Sequence, residues 1–342
     1  MIKNILIVGQ GLAGTILCHT LKKAGYQVDV MEADYPNVAS KVAAGLINPI
    51  TGRRFVKSNM IDTLIPFAKT VYQELETLLG VKLWHERNIL WLHETEKEHN
   101  EWIARCGATD VEHYITYPAE KMPDSASLKN VYDCGEVRHA AQVDLSLLVS
   151  SYRQYLIDNQ CFIQNKKQID AFNLVEKTYD KIIFCRGRWD AEHPLFEELP
   201  WVLAKGEVLE IAIKNHNISK IIKGKTNLIP LANGNFWVGS NYEWRAKNDK
   251  PTAGMKKEFR IHLEHHLDSD YEIISHKAAI RPTNTHRYPF IGFHPYETKM
   301  GIFNGLGTKG ASLAPYWAAH FEAHISQKVP LDANVDLKKW LK

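Results

Sequence analysis

No stretch of this 342-residue chain reaches the roughly eighteen consecutive apolar residues of a membrane-spanning helix, so membrane insertion is not expected. Cysteine is sparse. Cys18, Cys106, Cys134, Cys161 and Cys185 are odd in number, scattered, and never spaced CxxC, which argues against a disulfide framework and for a reducing, cytoplasmic setting. An excess of one charge is missing too: 42 lysines and arginines face 39 aspartates and glutamates, a net of +3 that lends no support to a nucleic-acid or membrane surface without excluding one. His85, His93 and His99 lack ligand spacing, and no metal is expected. With 45% hydrophobic and 24% charged residues, the chain has the composition of an ordinary globular protein long enough for two domains.

What is present begins at once. Ile5-Leu6-Ile7-Val8 makes a short buried strand, and Gly9-Gln10-Gly11-Leu12-Ala13-Gly14 follows without a spacer, a GxGxxG turn from strand to helix. Gly9 permits the tight turn, Gly11 admits a pyrophosphate close to the backbone, and Gly14 lets the helix lie against the strand. Phosphate then meets the helix N-terminus, including the N–H groups of Leu12 and Ala13, where unpaired donors and the positive end of the dipole favour an anion. Leu17, Leu21 and Ala24 keep helical spacing, Gly25 stops the helix, and Val28 to Glu32 forms a second strand. Glu32, eighteen residues past Gly14, is placed to hold ribose hydroxyls and to disfavour a 2′-phosphate. From this stretch alone the nucleotide is NAD or FAD.

Further along, helical periodicity runs from Asp62 to Gly80 through Leu64, Ala68, Tyr72 and Leu75. Strands are expected at Leu83-Trp84 and Ile89 to Leu92, and a charged helix from Thr95 to Arg105. The stretch from Asp110 to Asp133, with Pro118 and Pro123, reads as a linker or irregular strands. Asp144 caps a helix through Leu156, Ile163 and Ile169 suggest a strand, and Tyr179 to Gly187 is an apolar strand ending in glycine. Trp201 to Trp244 is β-rich, with a hairpin around Asn233-Gly234-Asn235. A helix from Pro251 to Asp268 and a strand from Tyr271 to His276 come next. Gly301 to Phe321 is again strand, glycine turn (Gly305, Gly307, Gly310) and helix.

Four of these stretches, in this order, resemble the FAD-dependent D-amino-acid oxidase and glycine oxidase family: the opening turn with its acid, Ala43-Ala44-Gly45-Leu46 before Pro49, Arg281-Pro282 running to Pro289-Phe290-Ile291-Gly292, and the C-terminal glycine turn. The last, Gly305-Leu306-Gly307-Thr308-Lys309-Gly310 with Leu313-Ala314-Pro315, is nearest to the flavin domain of the tRNA-modifying oxidoreductase that acts on carboxymethylaminomethyl-uridine. Two positions depart from the pattern. Arg186 stands where a small residue usually precedes Gly187, and His286 where aspartate is common.

The resemblance implies an α/β fold: a Rossmann-like FAD-binding domain from residues 1–50, 137–198 and 287–342, with an inserted antiparallel α+β substrate domain from 51–136 and 199–286. It implies FAD, with Ala43, Ala44 and Gly45 along the ring, Gly187 near it, and Gly305, Gly307, Thr308, Lys309 and Gly310 at its pyrimidine end. Arg281 is expected to bind a substrate carboxylate through a bidentate pair, Tyr242 to touch substrate, and Lys309 to supply a positive charge near the ring. The chemistry implied is oxidation of the C–N bond of an amino acid or secondary amine by hydride transfer to flavin N5, with oxygen or an electron carrier as the final acceptor. Since no cysteine follows Cys185, the C-terminal thioether of some relatives cannot form and the FAD is expected to be non-covalent. The alternatives are a tRNA-modifying oxidoreductase that removes a carboxymethyl group, and a flavoprotein subunit with little turnover.

Overall fold

The structure, a computed structural model, describes residues 2–33, 35, 37–120, 128–164, 178–214, 216–244 and 246–341; Pro123 and Ile169 lie outside them. A six-stranded sheet runs in the order Phe162–Gln164, Gln27–Glu32, Asn4–Val8, Lys181–Phe184, Met300–Asn304, Phe290–Phe293. Its first five strands are parallel and the last is antiparallel. Alternation along Asn4–Val8 decides which side each residue serves. Ile5 and Ile7 join the core beneath the helices Leu12–Lys23 and Gly310–Gln327, while Leu6 and Val8 face Phe196 and Leu337 on the other side. Ile5, Leu6 and Ile7 are all fully buried, as a central parallel strand requires.

The second sheet has eight strands, in the order Tyr271–Arg281, Ala204–Ile213, Phe236–Gly239, Asn227–Pro230, Ile221–Lys223, Ile89–His93, Asp133–Val137, Ile115–Thr116. The pair Ile221–Lys223 with Ile89–His93 is parallel, and the hairpin expected around Gly234 joins Asn227–Pro230 to Phe236–Gly239. One face is covered by the helix Ala253–His266, which lays Met255, Phe259 and Leu263 on Leu209, Ile211, Phe236 and Val238. The opposite face, carrying Val208, Ile229 and Trp237, looks into a cavity.

Short pieces link the two sheets. Leu46–Ile47, Ala141–Val143 and Trp84–Glu86 form a small antiparallel sheet, and Ile50–Thr51 pairs with Val56–Lys57. The helix Ile61–Leu79 ends on Gly80 in the left-handed region (φ 66°) and packs on Gly310–Gln327. One contact there repairs a defect. Pro315 has no N–H to give the carbonyl of Ala311 four residues back, and the buried Tyr72 hydroxyl donates to that carbonyl instead, at 2.9 Å.

Three elements differ from the sequence reading. The strand beginning at Tyr271 runs on to Arg281, because Ala204–Ile213 pairs with it along its length. The strand from Tyr179 shortens to Lys181–Phe184, and Gly187–Glu192 forms a 3-10 turn, since the Asp190 carboxylate accepts the Arg186 N–H and closes the chain on itself. Leu83 stays outside the strand Trp84–Glu86, its N–H donating to Glu76 Oε1 at 2.7 Å. No helix among the described residues is long and apolar enough to cross a membrane.

Candidate active site

A continuous cavity of about 330 Å³ lies between the C-terminal ends of the parallel strands and the open face of the eight-stranded sheet. At one end stands the first glycine turn. Gly9 has φ 108°, and a Cβ there would lie 2.6 Å from the carbonyl oxygen of Cys185, so only glycine passes beneath the neighbouring strand's end. Gly14 does not line the cavity: a Cβ on it would strike the carbonyl of Gly9, and its task is close packing of helix on turn. The first-turn N–H groups of the helix have no intrahelical acceptor. Leu12 N–H donates to Ser40 Oγ at 2.9 Å, while Gly11, Leu12 and Ala13 border the cavity.

Glu32 is nearly buried and also lines the cavity. Its Oε2 accepts the Gln10 N–H at 2.6 Å and its Oε1 the Ala33 N–H at 2.8 Å, leaving lone pairs to take hydroxyl donors. Tyr35 and Trp189 stack beside it, centroids 4.1 Å apart. Arg186, the first departure from the family pattern, is part of this wall: its Nε donates at 2.7 Å to Asp190, which has no solvent exposure. Asn304 ties the same carboxylate to the end of strand Met300–Asn304, its Nδ2 donating to Asp190 Oδ2 and to the Gly187 carbonyl.

Ala43, Ala44 and Gly45 lie along the middle of the cavity, held from the eight-stranded sheet by Trp237, whose Nε1 donates to the Val42 carbonyl at 2.8 Å. Gly45 owes its identity to packing: with φ 69°, it would drive a Cβ into the carbonyl of Val143. Opposite, Gly307, Thr308, Lys309 and Gly310 line the wall where the C-terminal helix begins. A Cβ on Gly310 would lie 3.0 Å from Leu12, so the two helix starts meet at this cavity. Gly305 (φ 78°) shapes the turn without lining the cavity. Lys309 Nζ donates to Ser58 Oγ at 3.1 Å; burial, and then the like charge of Arg287, hold its pKa below the usual lysine range.

The far end belongs to Arg281. Its guanidinium occupies the space a Cβ on Gly206 would need, and it donates to Ser240 Oγ and to the Asn241 carbonyl, the latter at 3.3 Å. Burial lowers its pKa, yet an arginine stays charged. The Tyr242 ring, half exposed, covers the guanidinium at 4.6 Å from Cζ and stacks on Trp244. His286, the second departure, turns away onto Trp340, centroids 4.3 Å apart. Asn284 holds that turn, its Oδ1 accepting the N–H groups of His286 and Arg287 and its Nδ2 donating to the Tyr288 carbonyl.

The cavity therefore gathers Gly9, Gly11, Leu12, Ala13, Glu32, Ala43, Ala44, Gly45, Gly187, Tyr242, Arg281 and Gly307 to Gly310 of the sequence-predicted residues, and leaves Gly14 and Gly305 behind its walls. Sequence reasoning missed Lys223, Asn227 and Trp237, which reach the cavity from three neighbouring strands, and Asp190 beneath it. Alternation toward one face was the available signal. It also missed a grouping away from the cavity, where Glu94 approaches His265 and His266 with Lys225 Nζ 3.4 Å from the same carboxylate.

Comparison with known proteins agrees with this architecture. The family model for FAD dependent oxidoreductases (DAO) matches residues 4–322. The glycine oxidase of Pseudomonas aeruginosa is 24% identical over 92% of both chains. Among solved structures, glycine oxidase from Bacillus cereus superposes with a TM-score of 0.76 at 16% identity, covering 96% of each chain. Iminodiacetate oxidase from Chelativorans sp. BNC1 does so with a TM-score of 0.72 at 18% identity, covering 98% of each.

Proposed function

Because the chain belongs to the family of FAD-dependent oxidoreductases, we propose that it oxidises the C–N bond of an amino acid or secondary amine whose carboxylate is held by Arg281. The observation that carries this reading is the guanidinium itself, charged, inside the cavity, and bonded among the described residues only to the neutral oxygens of Ser240 and Asn241. A planar cation with spare donors and no carboxylate partner recognises a carboxylate by two charge-assisted hydrogen bonds.

The residues fit FAD. Gly9 and Gly11 let the backbone of the first turn approach a ligand, the first-turn donors beyond Leu12, whose N–H is taken by Ser40, and the helix dipole suit a pyrophosphate, and Glu32 suits ribose hydroxyls. Ala43 and Ala44 leave room for a planar ring, and the start of helix Gly310–Gln327 with Lys309 puts positive potential at its edge. We assign residues 1–50, 137–198 and 287–342 to the FAD lobe and the rest to the substrate lobe; the two main sheets support the division. The unpaired state of all five cysteines supports a reducing, cytoplasmic setting.

When bound, FAD supplies the acceptor for the hydride that leaves the substrate's α-carbon. The chain's own contribution is placement. Arg281 fixes the carboxylate, Tyr242 covers it against solvent, and Gly206 provides the socket that lets the guanidinium lie flat on the sheet. No side chain of the cavity is assigned as a base, so the amine must arrive without its extra proton, and turnover should rise with pH toward the substrate's own pKa.

Anaerobic mixing of the FAD-loaded protein with glycine, sarcosine, and D- and L-amino acids, followed by flavin absorbance, tests the proposal. At least one amine should bleach the flavin; none doing so sinks it. Arg281→Ala should raise the KM on the order of tenfold to hundredfold, the worth of a charge-assisted pair, while FAD stays bound. Oxygen uptake measured against reduction of an added carrier then identifies the acceptor.

A further inference from the structure

The charged side chains on the cavity wall are Glu32, Arg186, Arg188, Lys223, Arg281 and Lys309. Two of the cations are balanced, Arg186 by Asp190 and Arg188 by Glu192. Glu32 is engaged by two backbone N–H groups at the nucleotide end. That leaves Lys223, Arg281 and Lys309 with no carboxylate partner among the described residues. Lys309 rests on Ser58, but Lys223 has no such acceptor among the described residues: its ammonium lies 4.6 Å from the centroid of the Trp91 ring, an attraction that orients a cation without neutralising it. Burial holds its pKa below the usual lysine range, the mark of a charge that has lost water and gained no counter-ion.

Lys223 and Arg281 share one face of the eight-stranded sheet. Lys223 stands opposite Asn227, Asn227 opposite Gly239, and Gly239 opposite Val208; residues directly opposed on neighbouring strands project to the same side. Gly206, whose missing Cβ the Arg281 guanidinium replaces, lies two residues before Val208 and so on that same side. Three strand spacings, about 14 Å at ~4.8 Å each, separate this strand from the one bearing Lys223. The wall between them is Val208, Asn227, Ile229 and Trp237, mostly apolar with one amide.

We infer that Lys223 is a second anion-binding residue, and that the substrate is an elongated amine with an acid at each end: an amino acid carrying a distal carboxylate on its side chain or nitrogen substituent. Arg281 takes the carboxylate beside the reacting carbon, Lys223 takes the distal one, and the apolar wall receives the chain between. Glycine and sarcosine satisfy one cation and leave the other desolvated and unpaired. This rests on the amine-oxidation reading and names the substrate class within it.

Isothermal titration of the FAD-loaded protein with straight-chain dicarboxylates from glutarate to suberate, beside monocarboxylates of equal length, provides the test without requiring turnover. At least one dicarboxylate should bind tenfold or more tightly than its monocarboxylate. Lys223→Met should abolish that gain while monocarboxylate binding stays within twofold, and Lys223→Arg should preserve it. Equal binding of the two series, or a gain that survives Lys223→Met, overturns the inference and leaves amine oxidation standing. If monocarboxylates bind Arg281→Ala as well as the unaltered protein, both fall together.

Discussion

Asp190 shows how much can rest on one side chain. It has no solvent exposure, and it joins Arg186 to Asn304 at the ends of two central strands. Asp190→Ala would remove the buried carboxylate that accepts from Arg186 and Asn304, and should cost at least about 1–3 kcal/mol in urea unfolding. Asp190→Asn, which keeps one acceptor oxygen, should cost less. His93 makes a different prediction. Burial and the neighbouring His99 push its imidazole from 6.5 down to about 4. Above pH 6.5 neither state binds the proton; between 6.5 and 4 the unfolded chain takes it and the folded protein does not, so stability falls across that window and levels off below. The urea midpoint should therefore drop on acidification, and drop less in His93→Phe. At this scale legibility followed sequence distance. Glu32 and the glycines of the first turn were readable because their partners lie within one βαβ unit. Asp190 and Lys223 were not, because what makes them matter comes from Asn304 and from strands far apart in the chain.

Among the elements, the helix at residues 61–79 and the hairpin around Gly234 were legible from periodicity and turn residues. The strand ending at Arg281 was not, since its last five residues owe their extended form to pairing with Ala204–Ile213 rather than to local pattern. That pairing is what sets the guanidinium over Gly206. Gly206→Ala should push Arg281 out of its socket, raising the KM for amine at least tenfold while leaving flavin content unchanged; equal loss of both would make the glycine a folding requirement. The Tyr72 bridge to Ala311 belongs here as well. Tyr72→Phe keeps the ring and strands a buried carbonyl that Pro315 cannot serve, so it should cost about 1–3 kcal/mol in thermal or urea unfolding.

For the whole molecule, family order of four motifs was enough to foresee an FAD protein with two main sheets, while the reach of Lys223 and Asn227 into the cavity depends on strand pairing that no single stretch carries. Covalent attachment is not expected. Among the described residues the only cysteine on the cavity wall is Cys185, and burial drives its thiol well above the usual range, away from the thiolate that would attack a flavin. Acid or heat should release FAD intact; flavin retained on the denatured chain would refute this. The strand order carries one more consequence. Asn4–Val8 pairs on one side with Gln27–Glu32, made within the same few dozen residues, and on the other with Lys181–Phe184, itself completed by Met300–Asn304. On the ribosome, at about 5–20 residues per second, the opening turn emerges roughly a quarter of a minute to a minute before Gly310 can close the far wall. For that interval a fully buried strand has an unclaimed edge, the arrangement most apt to recruit a neighbouring nascent chain. Expressed alone, residues 1–160 should collect in the insoluble fraction, and chaperone supply should limit the yield of holoprotein more than flavin supply does.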